Sequence, residues 1–79
     1  MEFKWVVTTY GVWRLLEESD GYIQPLALAF IQTKHGAPGQ YVGTVFGQGK
    51  GVPDLDFDEG YTLEEIKALL ETTVALRQG

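Results

Sequence analysis

Hydrophobic and polar residues alternate through the first part of the chain with the two-residue period of β-strands. Residues 3–10 and 12–17 form two such runs, rich in aromatic and β-branched side chains, with Gly11 between them. The Asp20-Gly21 pair that follows favours a tight hairpin turn, because glycine adopts positive φ without strain. The pattern predicts two antiparallel strands and a third strand that returns from the turn.

The stretch 22–33 fits two structures. As a helix, it would begin with Pro25 at the first helical position and end at Gly36. We favour a strand, because the preceding turn needs a partner, and Pro25 then indicates an edge, a bulge or a kink. The strand would place Leu26, Leu28 and Phe30 on one face and Ala27, Ala29 and Ile31 on the other.

Two further extended segments follow. Residues 35–39 are typical of a loop, and residues 40–46 predict another strand. The glycine-rich stretch 47–53 is the most flexible by composition. After it, Leu55 and Phe57 alternate with aspartates, which predicts a short extended segment with one buried face.

The clearest element is a helix near the end of the sequence. Thr62-Leu63-Glu64-Glu65 is a capping box, with Tyr61 and Ile66 placed for a hydrophobic staple. Apolar positions then recur at helical spacing on one side: Leu63, Ile66, Leu69, Leu70, Thr73, Val74 and Leu76. On the opposite, polar side, Glu64, Lys67 and Glu71 are spaced three and four positions apart, which lets the lysine form ion pairs with both glutamates. The fold class predicted is α+β: one domain over residues 1–79, an antiparallel meander of four or five strands packed against one C-terminal amphipathic helix.

Size and composition limit what this domain contains. The 79 residues are 44% hydrophobic, enough for one modest core, so a homodimer that buries more surface is an alternative to a monomer. The chain has no cysteine. The first residues show no signal-peptide pattern, and the longest apolar run, 26–31, is too short to span a bilayer. We therefore expect a cytoplasmic protein that does not enter a membrane.

Charge is distributed unevenly along the chain. Eleven acids face six bases, a net charge of -5, and the bases are scattered, which argues against direct nucleic-acid binding. The acids gather in the segment 54–71, which indicates a basic protein partner. The predicted partner-binding residues are Asp54, Asp56, Asp58, Glu59, Glu64 and Glu65. The alternative is a solvated face that only keeps the protein soluble.

Residues for catalysis are few. There is one serine, Ser19, in the predicted turn, and one histidine, His35, in a predicted loop, with nothing to indicate that they meet. The glycines at 47, 49 and 51 do not form a phosphate-binding loop, because Lys50 is followed by glycine. We expect no catalytic residue and no cofactor; a small enzyme is the third hypothesis, after a binding module and a dimerisation module.

One metal-binding alternative comes from the acidic segment. Asp54, Asp56, Asp58 and Glu65 fall at positions 1, 3, 5 and 12 of a sequence similar to an EF-hand calcium loop. The glycine stands at position 7 where that loop requires position 6. The competing interpretation is an amphipathic strand with outward-facing aspartates, followed by the capped helix.

Two resemblances to known protein groups add hypotheses. The order Trp13, Asp20-Gly21-Tyr22, Gly39-Gln40-Tyr41 and 61–65 resembles small acidic phage and mobile-element proteins, among them anti-CRISPR inhibitors. That resemblance implies a stoichiometric inhibitor that occupies a basic, nucleic-acid-binding surface of a host complex.

The second resemblance covers about a third of the chain. Residues 52–55 (Val-Pro-Asp-Leu) and 62–65 (Thr-Leu-Glu-Glu) are similar to the end of HicB-type antitoxin domains. This resemblance implies an antitoxin-like or structural homodimerisation module, in which the helix or an exposed edge strand makes the contact.

Overall fold

The chain folds as one antiparallel sheet with a helix on one side. The computed structural model describes residues 2–8 and 10–78, apart from the side chain of residue 78. Its elements are β1 (Glu2–Val7), β2 (Trp13–Ser19), β3 (Tyr22–Ile23), β4 (Ala29–Thr33), β5 (Tyr41–Val45), β6 (Leu55–Tyr61) and α1 (Leu63–Gln78). The predicted α+β class, a meander packed against one C-terminal helix, is confirmed.

The strands follow one another across the sheet in the order β1-β2-β4-β5-β6. The short β3 pairs with the end of β2, and β4 pairs with the beginning of β2 on the same side. Strands β3 and β4 are therefore one strand line with an interruption. If β3 and β4 are counted as one strand line, each line pairs with the next one along the chain, and β1 and β6 form the two edges of the described sheet.

The first hairpin turn after β2 is the one that the sequence predicts. Ser19 pairs directly with Tyr22, which leaves a two-residue loop. Both loop residues have positive φ, 52° at Asp20 and 78° at Gly21. This is the backbone that an Asp-Gly pair adopts most readily, and its twist matches that of the flanking strands.

The stretch 22–33 forms strands and not a helix, as predicted, and an interruption between β3 and β4 accommodates Pro25. The main chain leaves the sheet after Gln24, whose N–H donates to Glu17 O, and returns at Leu28, whose N–H donates to Leu15 O (both 2.8 Å). The predicted faces hold within β4, where Ala29 and Ile31 lie in the core and Phe30 lies on the other face, but they are wrong for the residues before it. Leu28 joins the helix-side core, whereas Leu26 is 80% exposed, because the excursion breaks the two-residue alternation.

Helix α1 begins at the predicted capping box. Glu65 N–H donates to Thr62 Oγ1 (3.1 Å), and Thr62 N–H donates to Glu65 Oε1 (2.9 Å). The helix lies over β5 and contacts β4 and β6. It buries a narrow stripe of three residues one turn apart: Ile66, Leu70 and Val74.

The buried stripe of α1 is narrower than the sequence predicts. Leu69 and Leu76, assigned above to the apolar side, are exposed, Leu76 by 77%. A single helix that crosses a twisted sheet touches it along one line, so positions to either side of that line stay in solvent. No helix within the described ranges is long and apolar enough to cross a membrane.

The core fills the space between α1 and one face of the sheet. Its fully buried strand residues are Leu15, Ala29, Ile31 and Val45. Gly43 lies at the centre, opposite Ile31 in the register, where a Cβ would come 2.8 Å from Leu70 Cδ1. The lack of a side chain at Gly43 thus sets how closely the helix approaches the sheet. On the other face, Phe30 and Phe46 stack with centroids 5.4 Å apart.

Candidate functional site

The predicted partner-binding residues lie along one border of the molecule. Strand β6 is an edge of the sheet, and α1 starts two residues after the strand ends. The acidic segment therefore follows this edge and turns onto the first helical turn. We call its six carboxylates the acidic edge: Asp54, Asp56, Asp58, Glu59, Glu64 and Glu65.

Three residues of the acidic edge have structural hydrogen bonds. Asp54 accepts from the N–H of Gly47 (2.7 Å), and Asp56 accepts from Thr44 Oγ1 (2.7 Å). Glu65 accepts from Thr62 in the capping box. Their first role is to hold the loop 47–53, the β5–β6 pair and the start of α1 in place.

The other three carboxylates are solvent-exposed. Within the described residues, the side chains of Asp58, Glu59 and Glu64 form no hydrogen bond to protein. One base reaches this place: Lys34 Nζ donates to the main-chain oxygen of Glu59 (3.0 Å). The ammonium offsets part of the negative charge without occupying a carboxylate.

A bulge in β6 presents two of these exposed acids. Gly43 pairs with Phe57 and Tyr41 with Tyr61, so two steps along β5 oppose four along β6. The extra residues lie at 58–60. Gly60, within the bulge, has a backbone φ of 101°, which side-chain-bearing residues rarely adopt. A Cβ at this position would also collide with the side chain of Gln40. The bulge thus ends regular pairing where Asp58 and Glu59 stand.

The pKa of the Tyr61 hydroxyl reflects the negative charge around it. Its pKa is raised above the ordinary value, first because the ring is partly buried and then because Glu59, Asp58 and Glu65 carry negative charge nearby. Carboxylates from the bulge and from the helix start therefore act on the same phenol. The negative charge is gathered at this edge in space as well as in sequence.

The calcium alternative used four of the same carboxylates. In the structure, residues 55–61 form a strand, which is the competing interpretation. In the described part of the chain, no group of three or more His, Cys, Asp or Glu side chains is placed to hold a metal ion. Three of the four predicted ligands, Asp54, Asp56 and Glu65, accept hydrogen bonds from the chain itself.

Two helix residues have contacts that the sequence did not indicate. Lys67 Nζ lies over the ring of Trp13, 4.0 Å from its centroid, and Glu71 Oε1 accepts from Trp5 Nε1 (2.9 Å). The assignment of Lys67 and Glu71 to a polar side away from the sheet is therefore wrong. Their four-residue spacing was the only signal, and it does not say what the pair faces.

The residues considered for catalysis do not line the cavity described below. Ser19 ends β2 and His35 lies in the β4–β5 loop, and both are exposed. A cavity of about 30 Å³ is lined by Leu28, Val45, Phe46, Gln48, Val74 and Arg77. None of its lining residues belongs to the acidic edge. One guanidinium nitrogen of Arg77 is buried without a hydrogen bond among the described residues.

Comparison with protein-family models, with curated proteins and with solved structures finds no significant match in any of the three. The resemblances to phage inhibitors and to HicB-type antitoxins therefore stay predictions.

Proposed function

We propose that this protein is a non-catalytic binding module whose acidic edge docks on a basic surface of a partner protein. The observation that carries the proposal is that exposed Asp58 and Glu59 lie in the bulge of edge strand β6, just before the first turn of α1. The raised pKa of Tyr61, to which Asp58, Glu59 and Glu65 contribute, agrees with this gathered negative charge. Glu64 adds a further exposed carboxylate on the first turn of α1. Gathered charge of one sign steers an oppositely charged partner and selects against partners of the same sign.

The position of the acids at a sheet edge supports a protein as the partner. Edge strands present unpaired main-chain groups, and acids on such a strand oppose pairing with another acidic strand. A basic segment meets no such opposition. The exposed carboxylates of the bulge and the helix start are then available for ion pairs with lysine or arginine of the partner.

The resemblance to small acidic phage proteins suggests what docking would achieve. A negatively charged module that covers a basic, nucleic-acid-binding surface competes with phosphate for the same side chains. On this proposal the protein acts stoichiometrically, as an inhibitor of a host complex. Its activity would require binding and no chemical step.

The test is a pair of matched charge reversals. D58K/E59K changes two exposed acids without a structural hydrogen bond in the described chain, and the net charge rises by four, from -5 to -1. E2K/E18K produces the same net charge at the other end of the sheet, where Glu2 and Glu18 face each other in the β1–β2 pair. Asp54 and Asp56 are left intact because their hydrogen bonds support the fold.

The measurement is the dissociation constant for one purified partner, first isolated with the wild-type protein. We expect D58K/E59K to weaken binding by about tenfold or more, and E2K/E18K to change it much less. The difference should shrink at high salt, because screening weakens exposed charge pairs. Equal losses in the two variants would contradict the proposal, since net charge alone would then explain them.

A further inference from the structure

The second edge of the sheet is built differently from the acidic edge. Among the described residues, only β2 pairs with β1. The pair runs without a bulge over six consecutive positions, from Glu2 opposite Glu18 to Val7 opposite Trp13. Val6 and Val7 are 36% and 51% exposed. A regular edge strand with exposed apolar residues is a template for pairing with another strand.

The hydrogen bonds next to β1 show which main-chain groups point outward. Thr8 N–H donates to Val12 O, so Thr8 faces β2. In an antiparallel pair, successive residues turn their N–H and C=O groups to opposite sides. The main-chain N–H and C=O groups of the odd-numbered residues of β1 therefore point outward from the edge, away from β2: Phe3, Trp5 and Val7. The outward carbonyl of Leu15 on β2, which accepts from Leu28, confirms the same alternation one strand further in.

We propose that β1 pairs with β1 of a second copy of this chain, antiparallel, about a twofold axis through Trp5. In this register Trp5 lies opposite Trp5 of the second copy, and Phe3 lies opposite Val7. The twofold axis thus produces three residue pairs: Phe3 with Val7, Trp5 with Trp5, and Val7 with Phe3. Each pair exchanges two hydrogen bonds, so all six outward N–H and C=O groups of each copy are used. If the twofold axis passed through Lys4 and not through Trp5, Lys4 would lie opposite Lys4 of the second copy. Like charges opposite each other are destabilising.

Charge favours a second copy at this edge. Strand β1 carries one acid and one base, Glu2 and Lys4, and is neutral. Four strand spacings separate β1 from β6, about 19 Å, which is more than twice the screening length of about 8 Å at physiological salt. Two copies joined at β1 therefore keep their acidic edges at opposite ends of one continuous sheet. Pairing through β6 would bring those edges together.

A single copy exposes more surface than a compact monomer of its mass, as expected if part of its surface is covered in a dimer. The chain exposes 5345 Å², whereas a compact monomer of its mass exposes about 4,800 Å². The excess, roughly 500 Å², comes with a flat shape of 38 × 28 × 18 Å. Joining two sheets edge to edge covers apolar groups of β1 that a single copy leaves in water.

The first experiment is analytical ultracentrifugation at low and high micromolar concentration. We expect the wild type to form a species of twice 8.8 kDa, and V7P to raise the dimer dissociation constant by at least about tenfold. Proline at position 7 removes an outward N–H and no bond within the sheet. V7K serves if V7P does not fold. The matched control is L76K, which alters an exposed apolar residue on α1 and should leave the dimer intact.

The second experiment tests the register, using the absence of native cysteine. In the proposed pair Lys4 lies opposite Val6, and neither residue lies opposite itself. A mixture of K4C and V6C should therefore form the mixed disulfide much faster than either variant crosslinks with itself. Equal rates would overturn the register. A wild type that stays monomeric at high concentration, or a dimer unaffected by V7P, would overturn the proposal and leave β1 as an edge for another protein's strand.

Discussion

Replacing Gly43 with alanine introduces a methyl group where α1 rests on the sheet. The new Cβ would lie 2.8 Å from Leu70 Cδ1, 3.0 Å from the main-chain oxygen of Phe30 and 3.2 Å from Ile66 Cγ1. The Leu70 methyl can rotate away, but the oxygen belongs to the neighbouring strand and cannot move without disturbing the ladder. Overpacking of this kind costs about 1–3 kcal/mol.

A smaller effect opposes that cost. Gly43 has no positive φ, so alanine fits the strand backbone and gains about 0.5–1 kcal/mol over glycine. The net expectation is a destabilisation of about 0–2.5 kcal/mol, centred near 1 kcal/mol, with a melting temperature lowered by roughly 4–8 °C for each kcal/mol. Urea unfolding of G43A measures it as a lower midpoint at unchanged slope.

A double-mutant cycle separates the clash from a general effect of alanine. L70A removes the nearest methyl, so G43A should cost less in the L70A background, with a coupling of about 0.5–3 kcal/mol. A G43A variant more stable than the wild type would show that no clash opposes the gain from alanine. If the two costs simply add, the clash lies with the main-chain oxygen of Phe30 and not with Leu70.

Two further predictions concern the end of β6 and the helix start. Because folding raises the pKa of Tyr61 above 10.0, its contribution to stability is present below that pH and is lost as pH rises through the folded pKa. A tyrosinate absorbance titration should lose one step above pH 10.0 in Y61F, and D58N/E59Q should shift that step downward; an unmoved step would exclude the carboxylates as a cause. T62A should lower the free energy of unfolding by about 1 kcal/mol, since it removes the cap, while T62S should change it by a few tenths. Equal urea midpoints for T62A and T62S would contradict the role of the hydroxyl.

Local hydrogen bonding explains which features were predictable from the sequence. The capping box at Thr62 and the turn at Asp20-Gly21 each depend on residues within four positions of one another. Their chemistry is therefore visible in a short window of sequence. The gathering of acids at one place was also predictable, since the carboxylates are neighbours along the chain.

Features that depend on distant residues were not predictable. Gln24 and Leu28 hydrogen-bond to β2 on either side of the segment that leaves the sheet. Because that segment breaks the alternation of faces, Leu28 lies in the core. Lys67 and Glu71 meet tryptophans more than fifty residues earlier in the chain. Roles of this kind require the register of the sheet and the position of the helix upon it.

The order in which the core is assembled has a consequence for synthesis. With β3 and β4 counted as one strand line, each line pairs with the line made just before it, so the sheet can form by short loop closures as the polypeptide grows. Ile66, Leu70 and Val74 nevertheless supply the fully buried helical part of the core, with Leu63 packed beside them. A nascent chain that lacks them has an uncovered apolar sheet. Cooperative folding therefore waits until α1 has been made and has left the ribosome, and a chaperone that shields apolar strands would act before that moment.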